Sequence, residues 1–127
     1  MLKLVASLVV DLSDQPLKVY NSDQEVVRVI PVSTGKASTP TPIFNSKVHT
    51  KYQSTTMYGG TYTVPGVPFT VYVSANEAIC LHAAPWQENA RKPFGVHRSH
   101  GCLRMTLNHA HWLFHNTPKG TPITVQA

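Results

Sequence analysis

Apolar residues occur along this chain in short runs separated by turn-forming residues, a pattern that predicts many short strands. The Val- and Leu-rich run 2–12 predicts a strand that is buried on both faces. Runs 16–20 and 25–33 flank the turn-forming tetrad Asn-Ser-Asp-Gln and predict a β-hairpin. Further strands are predicted over residues 43–52, 67–73, 77–83 and 121–127.

Turn-forming composition predicts loops between several of these strands. Residues 34–42 are rich in Gly and Pro, and residues 83–98 form the longest predicted connection. Residues 53–66 combine turn chemistry with aromatic side chains, which predicts a mobile surface loop.

One segment, residues 107–116, has the composition and flanking signals of a helix. Thr106 or Asn108 is a candidate N-cap, and Pro118 with Gly120 predicts the end of the helix. Many strands and one helix predict a mainly-β sandwich or barrel with the helix packed on one side.

Length and composition predict one soluble domain over residues 1–127, with ten prolines and seven glycines to supply its turns. No run approaches the ~20 apolar residues that cross a bilayer, so no integral membrane segment is expected. The apolar start is too short, and too soon followed by Asp11 and Asp14, for a secretion signal. Either the sequence begins at the mature domain, or the protein stays in the compartment where it is made or leaves it by another route. The net charge of +5 comes from scattered residues, a distribution that argues against nucleic-acid binding and leaves solubility or attraction to an anionic wall polymer.

The two cysteines of the chain lie near histidines. Alternation along strand 77–83 places Cys80 and His82 on one face and the apolar pair Ile79 and Leu81 on the other, towards the core. A neighbouring imidazole can lower a thiol pKa from ~8.5 into the range ~3.5–7.5, which makes a thiolate nucleophile. A free cysteine is more often a small buried apolar residue, so Cys102 has two interpretations on these grounds alone.

A resemblance to a known family favours the nucleophile. The motif Ser99-His100-Gly101-Cys102, with "LHAAPW" upstream, resembles the L,D-transpeptidase catalytic (YkuD-like) domain family. The sixteen residues between His82 and Ser99 fit the spacing of that family, and the likeness extends over nearly the whole chain. The resemblance implies a YkuD-like β-sandwich of mixed sheets with one helix packed alongside.

The resemblance also implies roles for individual residues. Cys102 would attack the carbonyl between the third residue of a peptidoglycan stem peptide and its terminal D-alanine. His82 would take the thiol proton and return it to the departing amine, while the backbone carbonyl of Ala83 fixes the imidazole tautomer. Backbone N–H groups of His100, Gly101 and Cys102 would form the oxyanion hole. An amine of a second stem, or water, would then resolve the thioester.

Four further residues are candidates for substrate binding by the same resemblance. Tyr58 and Trp86 would line the cleft, although a loop aromatic can equally cover the core. Ser99 would stabilise the turn or contact substrate. Arg104 stands where the family often has Asn, and it would orient the turn or meet a substrate carboxylate.

The family resemblance carries expectations about partners and location. Peptidoglycan stem peptides are the expected partners, the protein is expected to be a monomer without metal or cofactor, and the periplasm or cell envelope is its expected location. A toxin-type L,D-carboxypeptidase or exchange enzyme of the same fold, and a non-catalytic cell-wall-binding module, are alternatives.

Two chemical alternatives also involve the cysteines. A metallo-hydrolase would hold zinc with ligands drawn from Cys80, His82, His97, His100 and Cys102, but the spacing matches no closed zinc motif. Cys80 is not a motif residue of the family, and a regulatory disulfide between Cys80 and Cys102 is a further hypothesis.

Overall fold

The computed structural model describes residues 5–13, 16–35, 41–58, 63–73, 79–88, 97–99 and 102–127, with only the backbone at 57, 58, 63, 64 and 97–99. The described chain is mostly strand, with one α-helix, α1 (Leu107–Asn116), and one short 3-10 helix, Pro85–Gln87. The strands are β1 (Ser7–Asp11), β2 (Pro16–Tyr20), β3 (Val26–Pro31), β4 (Thr34–Gly35), β5 (Phe44–Lys47), β6 (Thr50–Tyr58), β7 (Thr63–Tyr72), β8 (Cys80–Ala83), β9 (His97–Ser99), β10 (Leu103–Met105) and β11 (Pro122–Gln126).

Among the described residues, the strands form two larger mixed sheets and one small one. The first has the order β3-β2-β1-β11-β5, and the second has the order β10-β8-β7-β6. Strands β4 and β9 form a parallel pair of their own. Helix α1 lies against β7 and β8. This arrangement confirms the predicted mainly-β fold with two mixed sheets and a helix alongside.

One apolar cluster joins the two larger sheets and the helix. It takes Leu8 and Val10 from β1, Leu81 from β8, Leu103 from β10 and Leu113 from α1, together with other aliphatic side chains. Strands of both larger sheets therefore contribute side chains to a shared core, as expected for packed sheets.

The prediction that the first strand is buried on both faces is wrong. Burial alternates along β1, with Leu8 and Val10 inside and Val9 only half-buried. Antiparallel pairing with β2 and parallel pairing with β11 make β1 a central strand, but one face of the sheet is only partly covered. Valine suits such a half-covered position, so the apolar run did not require two buried faces.

The predicted hairpin over 16–33 is confirmed by antiparallel pairing of β2 with β3. Its turn is held by the side chain of Asn21, whose Oδ1 accepts hydrogen bonds from the backbone N–H groups of Asp23 and Glu25.

The predicted strand 43–52 is two strands, because β5 pairs with β11 in the first sheet and β6 pairs with β7 in the second. Between them the backbone N–H of buried Val48 donates to the carbonyl of Thr121.

The predicted surface loop over 53–66 is wrong for most of its length. Strands β6 and β7 form an antiparallel hairpin there, and the hairpin tip 59–62 lies outside the described residues. The pairing passes from Thr55↔Val67 to Met57↔Val64, so Pro65 and Gly66 fall within an irregularity of the ladder. Gly66 has φ +63°, a conformation that glycine adopts without steric cost and that is typical of a β-bulge. Turn-forming residues therefore mark a bulge inside a strand here.

The predicted helix over 107–116 is confirmed, and Thr106 is its N-cap. The Thr106 side chain accepts a hydrogen bond from the backbone N–H of His109 at 3.2 Å. The carboxylate of Glu88 accepts another from the N–H of Leu107 at 3.0 Å, which satisfies a second donor of the first turn. Glu88 follows the 3-10 helix, so the start of α1 is tied to the segment predicted as the long loop.

We expect Thr106→Ala to lower the free energy of unfolding by about 1 kcal/mol, because the N–H of His109 loses its acceptor. Thr106→Ser keeps the hydroxyl and serves as the matched control, with stability close to that of the parent protein. Urea unfolding followed by circular dichroism measures both variants. Equal losses in the two variants would show that the cap is not what stabilises the helix start.

Candidate active site

The site is built where β8 and β10 run side by side. The two strands are parallel, with Leu103 opposite Leu81 and Arg104 opposite His82. Leu81 and Leu103 belong to the core cluster, so the intervening positions face the other side of the sheet. One face of this strand pair therefore packs against the core, and the polar side chains lie on the other face.

His82 is buried, with a relative exposure of 4%, and its ring is fixed by its neighbour. Nδ1 lies 2.7 Å from the carbonyl oxygen of Ala83, which can only accept, so Nδ1 carries the proton in this contact. The neutral ring then has its lone pair on Nε2. The ring of Trp86 lies near that of His82, with centroids 5.9 Å apart and an interplanar angle of 30°.

The surroundings of His82 keep the imidazole neutral. The pKa of His82 is lowered from the ordinary value of 6.5 to about 4: burial lowers it most, the hydrogen bond to Ala83 raises it, and the positive charge of Arg104 lowers it. At neutral pH His82 is therefore a base with a fixed tautomer.

The sulfurs of Cys80 and Cys102 are in direct contact. Both are free thiols, and their Sγ atoms lie 2.9 Å apart. Hydrogen bonding from the Cys80 side chain lowers the pKa of Cys102, and the Cys80 backbone and the charge of Arg104 add to this against the effect of burial. The same thiol–thiol hydrogen bond, together with burial, raises the pKa of Cys80. The regulatory disulfide between them stays a prediction.

Arg104 is held by a chain of neutral partners. Its Nη1 donates to Oε1 of Gln87 at 3.1 Å, and Nε2 of Gln87 donates to Oγ of Ser33 at 3.1 Å. The backbone N–H and carbonyl of Arg104 pair with Ser33 as well, at 2.9 and 2.8 Å. The guanidinium lies 5.6 Å from the ring centroid of Trp86. Hydrogen bonds therefore fix both the backbone and the side chain of Arg104.

The predicted site residues are only partly within the described chain. Cys102, His82, Arg104 and Trp86 lie at this face, and Trp86 is 49% exposed. The Ala83 side chain belongs to the core, and its backbone carbonyl contacts the His82 ring. For the other predicted residues, His100 and Gly101 lie outside the described residues, and Tyr58 and Ser99 are described in the backbone alone.

Sequence reasoning missed Gln87 and Ser33. Both are buried and bring the amide and hydroxyl that position Arg104. Gln87 lies in the segment predicted as a loop, and Ser33 lies at the end of a predicted strand, so neither had a motif to mark it. The one sequence feature that could have pointed to Gln87 as a site residue is its position directly after Trp86.

Among residues with described side chains, no group of three or more His, Cys, Asp or Glu could hold a metal ion. The zinc hypothesis also included His97 and His100, whose side chains are not among those described.

Comparison with protein families gives one match over almost the whole chain. The family model of the L,D-transpeptidase catalytic domain matches residues 6–125. Among curated proteins, L,D-transpeptidase 1 of Mycobacterium tuberculosis is 32% identical over 109 residues, which cover 80% of this chain and 43% of the relative. The chain spans less than half the length of this relative.

Solved structures show the same likeness in three dimensions. An L,D-transpeptidase from Mycobacterium tuberculosis superposes with a TM-score of 0.85 at 27% identity, covering 98% of this chain and 58% of that structure. The LD transpeptidase LdtMt1 in complex with imipenem superposes with a TM-score of 0.83 at 28% identity, covering 94% of this chain and 57% of that structure.

We expect acidification from pH 7 to pH 4 to destabilise the protein through His82. Its pKa is lower in the folded protein than in the unfolded chain, so the unfolded chain takes up the proton first. The stability that the neutral ring provides is present above pH 6.5 and falls by about 3 kcal/mol as the pH approaches 4.

Carboxylates also titrate in this range, so the His82 contribution is measured as a difference. His82→Gln keeps a neutral polar side chain that does not titrate, and its unfolding free energy is compared with that of the parent protein at pH 7 and pH 4. A loss of stability that is the same in both proteins would contradict a buried, neutral His82.

Proposed function

Because this chain belongs to the L,D-transpeptidase catalytic domain family, we propose that it is a cysteine-dependent L,D-transpeptidase acting on peptidoglycan stem peptides. One observation carries the proposal: the partly exposed Cys102 thiol, whose pKa is lowered, directly precedes the strand that pairs with β8, which carries a neutral histidine with a fixed tautomer. Residues 1–127 would form one catalytic domain.

The first half of the reaction is acyl transfer to Cys102. The sulfur attacks the carbonyl between the third stem residue and the terminal D-alanine, and the thiol proton passes to Nε2 of His82. The backbone N–H groups of His100, Gly101 and Cys102 stabilise the negative oxygen of the tetrahedral intermediate. The C–N bond then breaks, His82 returns its proton to the D-alanine amine, and a thioester remains on Cys102.

The protonation state of His82 allows both of its proton transfers. At physiological pH the ring is neutral, so the Nε2 lone pair can accept the thiol proton, and the protonated ring, with a pKa of about 4, readily gives the proton to the D-alanine amine. The hydrogen bond from Nδ1 to the carbonyl of Ala83 keeps the lone pair on Nε2 and supports the imidazolium after proton uptake. Ala83 thus takes the role that a carboxylate has in other catalytic triads.

The second half of the reaction transfers the acyl group to an acceptor. An amine of a neighbouring stem attacks the thioester and gives a 3-3 cross-link or an exchanged stem, whereas water gives carboxypeptidase action. His82 accepts the proton of the incoming nucleophile, and the Cys102 sulfur leaves with the electron pair of the C–S bond.

Substrate contacts are proposed around the same face. The exposed ring of Trp86 offers an apolar wall beside His82, and the guanidinium of Arg104 offers a cation for a substrate carboxylate. Tyr58 and Ser99 are proposed as further contacts.

A cell-wall substrate implies that the protein works at the periplasm or cell envelope. No helix in the described part of the chain is long and apolar enough to cross a membrane. The protein is proposed to act as a monomer.

A carbapenem tests the nucleophile directly, because a thiolate opens the β-lactam ring and retains the whole drug as a thioester. We expect intact-protein mass spectrometry after incubation with imipenem to show a single adduct that maps to Cys102. The measurement is made with and without prior reduction, so that a thiol lost to oxidation is recognised.

Cys102→Ala is the matched control, and it is expected to remain folded but to form no adduct and to release no D-alanine from a stem tetrapeptide. An adduct that persists in Cys102→Ala, or release of D-alanine by that variant, would remove Cys102 from the mechanism. A folded parent protein that forms no adduct in either sample would favour a non-catalytic wall-binding module.

A further inference from the structure

The second cysteine of the chain is placed against the proposed nucleophile by the strand register. Cys80 begins β8, and Cys102 directly precedes β10. Leu81 lies opposite Leu103, so one step back along both parallel strands brings Cys80 opposite Cys102. The 2.9 Å between their sulfurs is a hydrogen-bond contact. The family motif does not include Cys80, and the proposed mechanism gives it no task.

The two thiols differ in their surroundings, and this difference sets the direction of the hydrogen bond. Cys80 is fully buried, with 0% exposure, whereas Cys102 is partly exposed. Burial disfavours a negative sulfur at Cys80. Cys102 also receives a hydrogen bond from the backbone of Cys80 and lies within the field of Arg104. The proton therefore stays on Cys80, whose S–H donates to the sulfur of Cys102.

The Cys80 thiol is one of several groups that act on the ionisation of Cys102. Cys80 on β8 and Arg104 on β10 are described groups that act on the ionisation of Cys102, and His82 lies opposite Arg104 on β8. His82 is neutral above about pH 4, so it is not a cationic partner for a resting thiolate. Arg104 stays positively charged at every accessible pH. His82 and Arg104 thus keep the same charge over the pH range in which a thiol titrates.

From this geometry we infer that Cys80 is a positioning residue, whose thiol donates a hydrogen bond that favours the thiolate form of Cys102. The inference rests on the proposed function for the importance of that thiolate. The thiolate form of Cys102 matters in both halves of the reaction. The thiolate is the attacking species in the first half, and it is the leaving group when an amine or water breaks the C–S bond of the thioester.

The test measures how readily Cys102 loses its proton, independently of turnover. Iodoacetamide alkylates a thiolate, so the rate of Cys102 modification between pH 5 and pH 10 gives a titration curve. Peptide mass spectrometry separates modification of Cys102 from that of Cys80. The full chain is used throughout, in the presence of a phosphine reductant that keeps both thiols reduced.

We expect Cys80→Ala to move the midpoint of the Cys102 curve to higher pH by about one unit, so that alkylation below the midpoint slows roughly tenfold. Cys80→Ser keeps an O–H donor at the same place and is expected to restore at least half of the shift. Cys80→Val, which fills the space without a donor, replaces Cys80→Ala if the alanine variant does not fold.

Identical curves for the parent protein and the variant without a donor would overturn the inference. Equal shifts in the serine variant and the variant without a donor would also overturn it, because the effect would then come from packing. Neither result depends on whether Cys102 is the nucleophile. Imipenem labelling of Cys102→Ala tests the proposed function separately, so failure of one proposal is distinguishable from failure of the other.

Discussion

The parallel register between β8 and β10 is the constraint on which the site depends. It makes residues far apart in the sequence neighbours, with Arg104 beside His82 and Cys102 beside Cys80. The register is fixed from the opposite face, where Leu81 and Leu103 are buried in the core. A slip of one residue would bury polar side chains and expose apolar ones, so the hydrophobic effect itself holds the chemical groups in alignment.

Burial, hydrogen bonds to neutral groups and the charge of Arg104 together tune the ionisable groups at this face. Desolvation keeps His82 neutral, and the hydrogen bond from Cys80 to Cys102 is the largest cause of the difference in acidity between the two sulfurs. The partners observed for these side chains are a carbonyl, a thiol, an amide and a hydroxyl. Such neutral groups orient a base or a cation without lowering its ability to react.

The sequence was informative where a local pattern had one structural meaning. Alternation in residues 79–82 separates the core side chains from His82, and Thr106 with the following apolar residues marks the helix. Prediction failed where a residue type has two uses. Pro65 and Gly66 suggested a loop, yet they form a bulge within β7, because a ladder irregularity needs the same backbone freedom as a turn. Gln87 could not be found, because its role depends on long-range contacts with Ser33 and Arg104.

The contact between Arg104 and Gln87 has a consequence for the conditions under which the site keeps its shape. A carboxylate in place of Gln87 would form an ion pair, which dissolved salt weakens by screening and acid breaks by protonation. An amide has no proton to gain and no net charge to screen. This contact is therefore insensitive to ionic strength and acidity, and Gln87 leaves the positive charge of Arg104 uncancelled for an anionic group that approaches from solvent.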